Sequence, residues 1–384
     1  MEYKKLGHIA KIQTGPFGSQ LHQSDYKPTG IPCIMPCNIG SNLNIICDNI
    51  AYISEEDLNR LAKHKTQEGD IVYSRRGDIE KCAYISSRES GWLCGTGCLK
   101  VSIDSTIALP KYVAYLLSTP ESKAWLVGNA VGTTMLNLNT TVLSDFPICL
   151  PDLDTQQKVV EIIDSIADKI ELNKRINDNL EQQASSLLSD WISTYPCRTY
   201  KLSDICKYAN AKCETGNLTP QNYISTENML PNKKGIVEAS NIPTGKATWY
   251  KVDDILIANI RPYFQKIWKA DINGGCSADV LCIRANIESH SPILYWLLHQ
   301  DAFFEYVMTG AKGCKMPRGD KQHIMNWSID LPEVQYWADL ATQLGSIDQQ
   351  IAYNRIESIN LSNLRDTLLP KLMSGEIKIN EIDC

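Results

Sequence analysis

The sequence predicts an α/β protein of the mixed α+β kind: two globular domains separated by an antiparallel coiled coil of two long helices, with an internal pseudo-two-fold repeat. Three observations carry this. Residues 155–194 run for 40 residues without Pro or Gly and hold a heptad seam. The seam returns 181 positions later in the same chain. The stretches before each seam mix short apolar runs with Gly, Pro and Asn, the pattern of strands and loops.

The first seam runs through Val159, Ile163, Ile166, Ile170, Asn173, Asn177, Leu180, Ala184, Leu187 and Trp191, spaced alternately four and three apart. That is the a/d line of a coiled coil. At 1.5 Å per residue the helix spans roughly 60 Å, and a lone apolar line of that length needs a partner. Leu150-Pro151 recurs as Leu331-Pro332. The same offset carries the seam onto Leu340, Leu344, Ile347, Ile351, Asn354, Ser358, Leu361, Arg365, Leu368 and Leu372. Antiparallel pairing about residues 175 and 356 sets Asn173 against Ser358 and Asn177 against Asn354. Buried polar seam residues cost stability but fix register.

The stretches ahead of the helices echo each other more faintly. Lys5-Leu6-x-x-Ile9-x-Lys11 returns as Lys201-Leu202-x-x-Ile205-x-Lys207. Gly69 to Gly77 resembles Asp254 to Pro262, and Ala114–Leu117 resembles Tyr295–Leu298. Asp70–Ser74 and Asp254–Ala258 read as buried strands, with helices over Pro110–Leu117 and Pro292–Gln300. Ser54 is the expected N-cap of a short helix to His64. Asp154 with Gln157 gives the first long helix a start signal, and Pro196 a stop. The second long helix is expected from near Val334 to about Leu369, before Pro370. The organisation is thus a first domain over 1–153, a long helix over 154–195, a second domain over 196–333, a second long helix over 334–375 and a tail over 376–384.

Composition narrows the function. Charged content of 21% and a net charge of −6 describe an ordinary globular surface, which leaves room for a local basic groove. The N-terminus lacks the apolar core of a signal peptide, and no apolar run approaches a membrane span; a cytoplasmic protein is expected. The 14 cysteines are scattered and expected to be free. Cys33/Cys37 and Cys94/Cys98 have C-x3-C spacing, but no close His or C-x2-C completes a zinc set. There is no G-x4-G-K-[ST], H-E-x-x-H or G-x-S-x-G, no Asp/Asn-Pro-Pro-aromatic tetrapeptide of amino-methyltransferases, and Gly95-Thr96-Gly97 lacks the third glycine of a dinucleotide turn. The six histidines do not cluster. No catalytic or metal-ligating residue is assigned.

Three sets of residues are candidates for contact with nucleic acid. The loop with Gln13, Ser19 and Gln20 surrounds Gly15-Pro16-Phe17-Gly18. It reads either as a turn with Phe17 plugging the core or as a backbone-rich loop approaching a groove. Arg75 and Arg76 in one half, and Asn259, Arg261 and Tyr263 in the other, follow a buried strand. An arginine fork there fits guanine O6 and N7 or a phosphate, or makes a surface salt bridge. Gly128–Asn139 offers Thr133, Thr134 and Asn137, and Gly310–Lys321 offers Lys312, Lys315 and Arg318 with Lys321, as phosphate- or base-contacting loops or as solvated ones.

The order of variable domain and long helix, given twice, resembles the specificity subunit of Type I restriction–modification systems. Gly15-Pro16-Phe17-Gly18-Ser19, Gly69-Asp70-Ile71-Val72-x-Ser74-Arg75-Arg76-Gly77 and Leu368-Leu369-Pro370-Lys371-Leu372-Met373-Ser374-Gly375-Glu376-Ile377 are similar to that family's recurrent motifs. The resemblance implies a non-catalytic subunit. Two target-recognition domains each read half of a split, asymmetric site in double-stranded DNA. Methyltransferase subunits, two of them expected, dock on the helices and carry S-adenosylmethionine. Restriction subunits join through the complex and carry ATP and Mg. The cations Lys158, Lys169, Lys174 and Arg175 on the first helix fit either that docking surface or a solvated face. Competing readings are a coiled-coil scaffold with two ligand domains and no DNA, a nuclease or methyltransferase with an unfamiliar site, and a modification-only or silent specificity subunit.

Overall fold

The computed structural model describes residues 3–132 and 136–377. Contacts divide it into two units, Met1–Ile170 with Ile359–Cys384, and Glu171–Ser358, so the division falls inside both long helices.

The first unit is built on a four-stranded antiparallel sheet in the order Ala10–Thr14, Cys98–Ile103, Ile71–Ser74, Cys82–Tyr84. All four residues of Ile71–Ser74 are buried, which explains its unbroken apolar run. A second sheet sets Ile31–Ile34 between Ala51–Ile53 and Leu93–Cys94, parallel to the latter. Helices Pro110–Ser118, Pro120–Asn129 and Thr140–Asp145 follow. Leu6, Ile71, Tyr73, Leu99, Val113 and Leu117 are among the residues that close the core between sheet and helices.

The second unit repeats this scheme. Its sheet runs Cys206–Tyr208, Val280–Ala285, Ile255–Ala258, Ile267–Lys269, again antiparallel. Helices Ser291–Leu298, Asp301–Thr309 and Lys321–Met325 take the same places. A further four-stranded sheet holds Lys212–Glu214, Lys246–Tyr250, Gly274–Cys276 and Tyr223–Ile224.

Each central strand is anchored at its start by a buried aspartate. Asp70 accepts from the backbone N–H of Gln67 at 2.8 Å and from the Ser102 hydroxyl. Asp254 accepts from the backbone N–H of Lys251 at 2.8 Å, and Arg284 donates to both its oxygens at 2.7 and 2.6 Å. Ser102 and Arg284 occupy matching positions on the neighbouring strand, so one buried acceptor is satisfied by two different donors.

The long helices are Leu153–Thr194 and Trp337–Ser374. The first starts earlier than Asp154-x-x-Gln157 suggests, because Asp152 is the cap: its Oδ1 accepts from Thr155 N at 2.7 Å. The second opens with a 3-10 turn, Val334–Tyr336, and runs through Pro370 to Ser374, where Gly375 at φ 75° ends it. Proline in a helix interior costs about 3 kcal/mol. Leu369 and Leu372 bury in one cluster with Tyr112, Tyr115, Val159 and Ile163, and burying two leucines offsets that cost by roughly 3–6 kcal/mol.

In each unit the head is tied to its long helix by an aromatic donor and a cation on one aspartate. The Tyr115 hydroxyl donates to Asp164 at 2.6 Å and Lys111 pairs with it at 2.8 Å. Trp296 Nε1 donates to Asp348 at 2.8 Å and Lys269 pairs with it at 2.6 Å. Within the second unit the helices run antiparallel around a polar belt. Asn354 Nδ2 donates to Asn177 Oδ1 at 2.8 Å, and Asn173 Nδ2 donates to Glu357 Oε2 at 2.7 Å and to Ser358 Oγ at 3.3 Å. Asn173 and Asn354 are only 1% and 3% exposed. Toward the helix end, Ala184, Leu188 and Trp191 pack with Trp337, Leu340 and Leu344.

Candidate nucleic-acid interface

In the first unit four loops meet where the central strand ends. Arg75 N–H donates to Gly97 O at 2.8 Å, and Leu138 N–H donates to Arg75 O at 2.9 Å. Arg76 pairs with Asn137, and Asn137 exchanges both backbone bonds with Val131. Gly15 N–H donates to Cys98 O at 2.9 Å. A Cβ at Gly15 would come within 2.0 Å of Gly95 O, so only glycine lets this loop lie on the 94–98 turn.

That loop presents Phe17 outward: its ring is 53% exposed, with the Arg75 guanidinium 5.7 Å from its centroid. Phe17 is therefore not a core plug. Ser19 is exposed beside it. Gln20 Oε1 accepts from Phe17 N at 3.3 Å and holds the loop's shape. Gln13 is committed elsewhere, donating to Lys63 O at 3.2 Å and lying 3.3 Å from His64 Nδ1. Burial lowers the pKa of His64 first, with Lys63 adding to it, which favours the neutral ring. Asn137 is half-buried. Thr133 and Thr134 lie outside the described residues.

The second unit builds the same junction from different residues. Asn259 N–H donates to Asp279 O at 2.8 Å, and Gly319 N–H donates to Asn259 O at 3.1 Å. Ile260 pairs with Arg318, and Arg318 exchanges backbone bonds with Lys312 at 2.9 Å. Arg261, at φ 50°, donates its N–H to Pro317 O at 2.7 Å and opens the 3-10 turn Pro262–Phe264. Gln265 closes that turn at φ 50°. Two non-glycine residues held left-handed around one short turn store strain of the kind found at binding sites. The turn displays Tyr263, 49% exposed, against Phe264 at 4.7 Å between ring centres.

The cations of this loop are not equally available. Lys312 pairs with Asp320 at 2.6 Å and Arg318 with Asp279 at 3.1 Å. Lys312 and the N–H groups of His323 and Gln322 hold the Asp320 carboxyl down at about 2. Lys315 is exposed at the hairpin tip, and Lys321 lies over the Tyr208 ring.

Register corrects the sequence alignment of the arginines. The strand pairs Ile71 with Val101 and Ile255 with Ile283, so Arg75 matches Asn259, Arg76 matches Ile260, and Gly77 matches Arg261. The arginines do not recur at one position. Gly77 at φ 74° and Arg261 at φ 50° share a conformation, not a charge. The paired positions beside them match too, with Val131 and Asn137 against Lys312 and Arg318. Sequence reading missed Gly97 and Asp279, whose backbone carbonyls receive the strand-exit N–H in each unit. A Gly or Asp following an apolar strand is too common to signal such a role.

The long helices carry the remaining candidates. Lys158 pairs with Asp154 at 2.9 Å on an exposed face. On the second helix, Tyr353 and Ile356 are large apolar side chains left exposed. Every described cysteine is a free thiol, and burial pushes Cys33 and Cys94 up to about 12. Among the described residues no group of three or more His, Cys, Asp or Glu is placed to hold a metal. No described helix is long and apolar enough to cross a membrane.

Comparison with known proteins places this architecture. Residues 1–182 match the family described as Type I restriction modification DNA specificity domain. The chain is 28% identical over 163 residues to the Type I restriction enzyme HindI specificity subunit of Haemophilus influenzae, covering 42% of this chain and 36% of that protein. It is 22% identical to the MjaIX specificity subunit of Methanocaldococcus jannaschii over 99% of this chain and 94% of that one. Its fold matches the crystal structure of a Type I restriction–modification S subunit from M. genitalium, with a TM-score of 0.57 at 16% identity over 97% of this chain and 95% of that one. Residues 1–182 carry the specificity-domain match, and with its two like units and paired long helices the chain is similar over its whole length to specificity subunits of Type I restriction–modification systems.

Proposed function

We propose that the two units each read one half of a split, asymmetric site in double-stranded DNA, and that the chain does so as the non-catalytic member of a complex. The observation that carries this is the strand-exit junction, built twice on one backbone plan with different side chains at its rim. Shared backbone suits a shared ligand; differing side chains suit differing sequences. Arg76, Lys315 and Arg318 serve the phosphates, while Phe17 and Tyr263 offer flat apolar surface beside them.

Chemistry belongs to the partners. Methyltransferase subunits supply S-adenosylmethionine and dock on the long helices, where Tyr353 and Ile356 leave apolar surface uncovered. Restriction subunits, where present, supply ATP and Mg. Half-site centres about one helical turn apart, roughly 34–36 Å, let both units approach one face of the duplex.

The test is duplex binding by the full chain together with its methyltransferase at several salt concentrations. Six phosphate contacts would give a log–log slope of roughly −5. A flat salt response would favour a scaffold without DNA.

A further inference from the structure

The geometry points to one specificity-setting position in each unit: Arg75 reads a guanine in one half-site and Asn259 reads an adenine in the other. This rests on the DNA reading proposed above and goes beyond it by assigning bases to side chains.

The two residues are structurally the same position. Each is the first residue past the central strand. Each donates its N–H to the carbonyl before the neighbouring strand, Gly97 O or Asp279 O. Each accepts on its own carbonyl from one backbone N–H, that of Leu138 or of Gly319. Their backbones are therefore fixed from both sides, while each side chain stays half-buried at the loop junction.

The fold makes little use of either polar head. Arg75 Nε and Asn259 Oδ1 are both shielded from solvent and have no hydrogen-bond partner among the described residues. Buried polar atoms are normally paired, and each such gap is destabilising. The same gap at one position in two units of different sequence is a feature of the site. Asn137 Oδ1, one residue before the Leu138 that bonds Arg75, is likewise buried and without a partner among the described residues. The heads are also aimed by their surroundings. The Arg75 guanidinium rests near the Phe17 ring. The Asn259 amide lies against Gly319, where a Cβ would come within 2.7 Å of Oδ1.

A position holding a cation in one unit and a neutral amide in the other is not defined by attraction to phosphate. Arginine and asparagine share a planar head with two adjacent hydrogen-bonding groups. The guanidinium fork matches guanine O6 and N7, and the amide matches adenine N6 and N7. Arg76, Lys315 and Arg318 are the exposed charges suited to the backbone instead.

The experiment selects from a pool of duplexes randomised over about 20 base pairs, two helical turns. It uses the full chain with its methyltransferase partner, as wild type, Arg75→Lys and Asn259→Asp. Lysine keeps the charge and loses the fork; aspartate keeps the shape and loses the donor. Melting curves confirm that both variants fold. Wild type should enrich a two-part motif. Arg75→Lys should lose roughly tenfold preference at one G·C pair in one half, and Asn259→Asp the same at one A·T pair in the other half. Unchanged motifs in both variants overturn the assignment while leaving the DNA reading intact. So does an altered position other than G·C or A·T, or loss of a whole half-site by a variant with an unchanged melting curve. A wild type that enriches no motif overturns the DNA reading itself.

Discussion

The polar belt of the coiled coil gives a prediction whose sign changes with the number of substitutions. In Asn354→Leu, Asn177 Oδ1 loses its 2.8 Å donor and Gln350 Nε2 loses its acceptor. Stranding buried polar groups costs about 1–3 kcal/mol, partly offset by the added apolar side chain. A net loss of about 1–2 kcal/mol should lower the melting temperature of the second unit by roughly 2–8 °C at about 2–4 °C per kcal/mol. Replacing Asn173, Asn177, Asn354 and Ser358 together by Leu removes both sides of the Asn177–Asn354 and Asn173–Ser358 bonds and the unpaired Asn173 Oδ1, and takes one partner each from Glu357 and the exposed Gln350. Exchanging a whole buried polar set for apolar packing stabilises by about 1–4 kcal/mol, so the quadruple variant should melt roughly 2–16 °C above wild type. Calorimetry with the single and quadruple variants reads both. A quadruple variant that melts below wild type, or a single one that melts with it, would show that the belt is not the register-fixing device derived above.

Three further outcomes are expected. Asp254→Ala leaves the partly exposed Arg284 guanidinium and the Lys251 N–H without their acceptor and should cost about 1.5–3 kcal/mol, read as a lower urea midpoint for the second unit; an unchanged midpoint refutes the anchor. Burial, then Lys233, lowers His299 to about 4 from its ordinary 6.5, and the residue is 8% exposed. The depressed folded value means stability is present above pH 6.5 and is lost as pH falls toward 4, by about 3 kcal/mol. Burial raises Glu181 to about 7, which works in the opposite direction in wild type and variant alike. The difference between wild type and His299→Gln should therefore shrink from pH 6.5 to 4, and a constant difference refutes the assignment. Inserting four residues after Asn177 and after Ser358 together should lengthen the unread spacer of the recognised site; a methylated motif with unchanged spacing rules out helix length as its determinant.

Some of this was legible in the sequence and some was not, for identifiable reasons. A heptad seam over 40 residues is a signal that local competition cannot erase, and the repeat supplied its partner. Helix ends were harder. Asp152 and Asp154 are both acceptable caps, and only the backbone path selects Asp152. Pro370 is a stop signal that the burial of Leu369 and Leu372 overrides. At the candidate interface the loops singled out in the sequence come together at the strand exits, but some of their side chains are committed within the chain. Phe17 is exposed although an aromatic beside Gly and Pro suggests a plug, because Gly15 sits so close to Gly95 that the loop is forced outward. Gln13 belongs to a strand whose amide is taken by Lys63. The expectation of an arginine at the strand exit of both halves failed because like residues were matched where strand register decides. Only the register put Asn259 at the place of Arg75.

The central claim is that two unlike units on one chain confer one two-part DNA specificity. It is tested most directly by mapping DNA methylation across a host genome with this gene present and with it deleted. The account predicts a single methylated motif with two different halves and a fixed unread gap, lost entirely on deletion. A methylation pattern that is unchanged by deletion, or a motif that is continuous or has two identical halves, would contradict it.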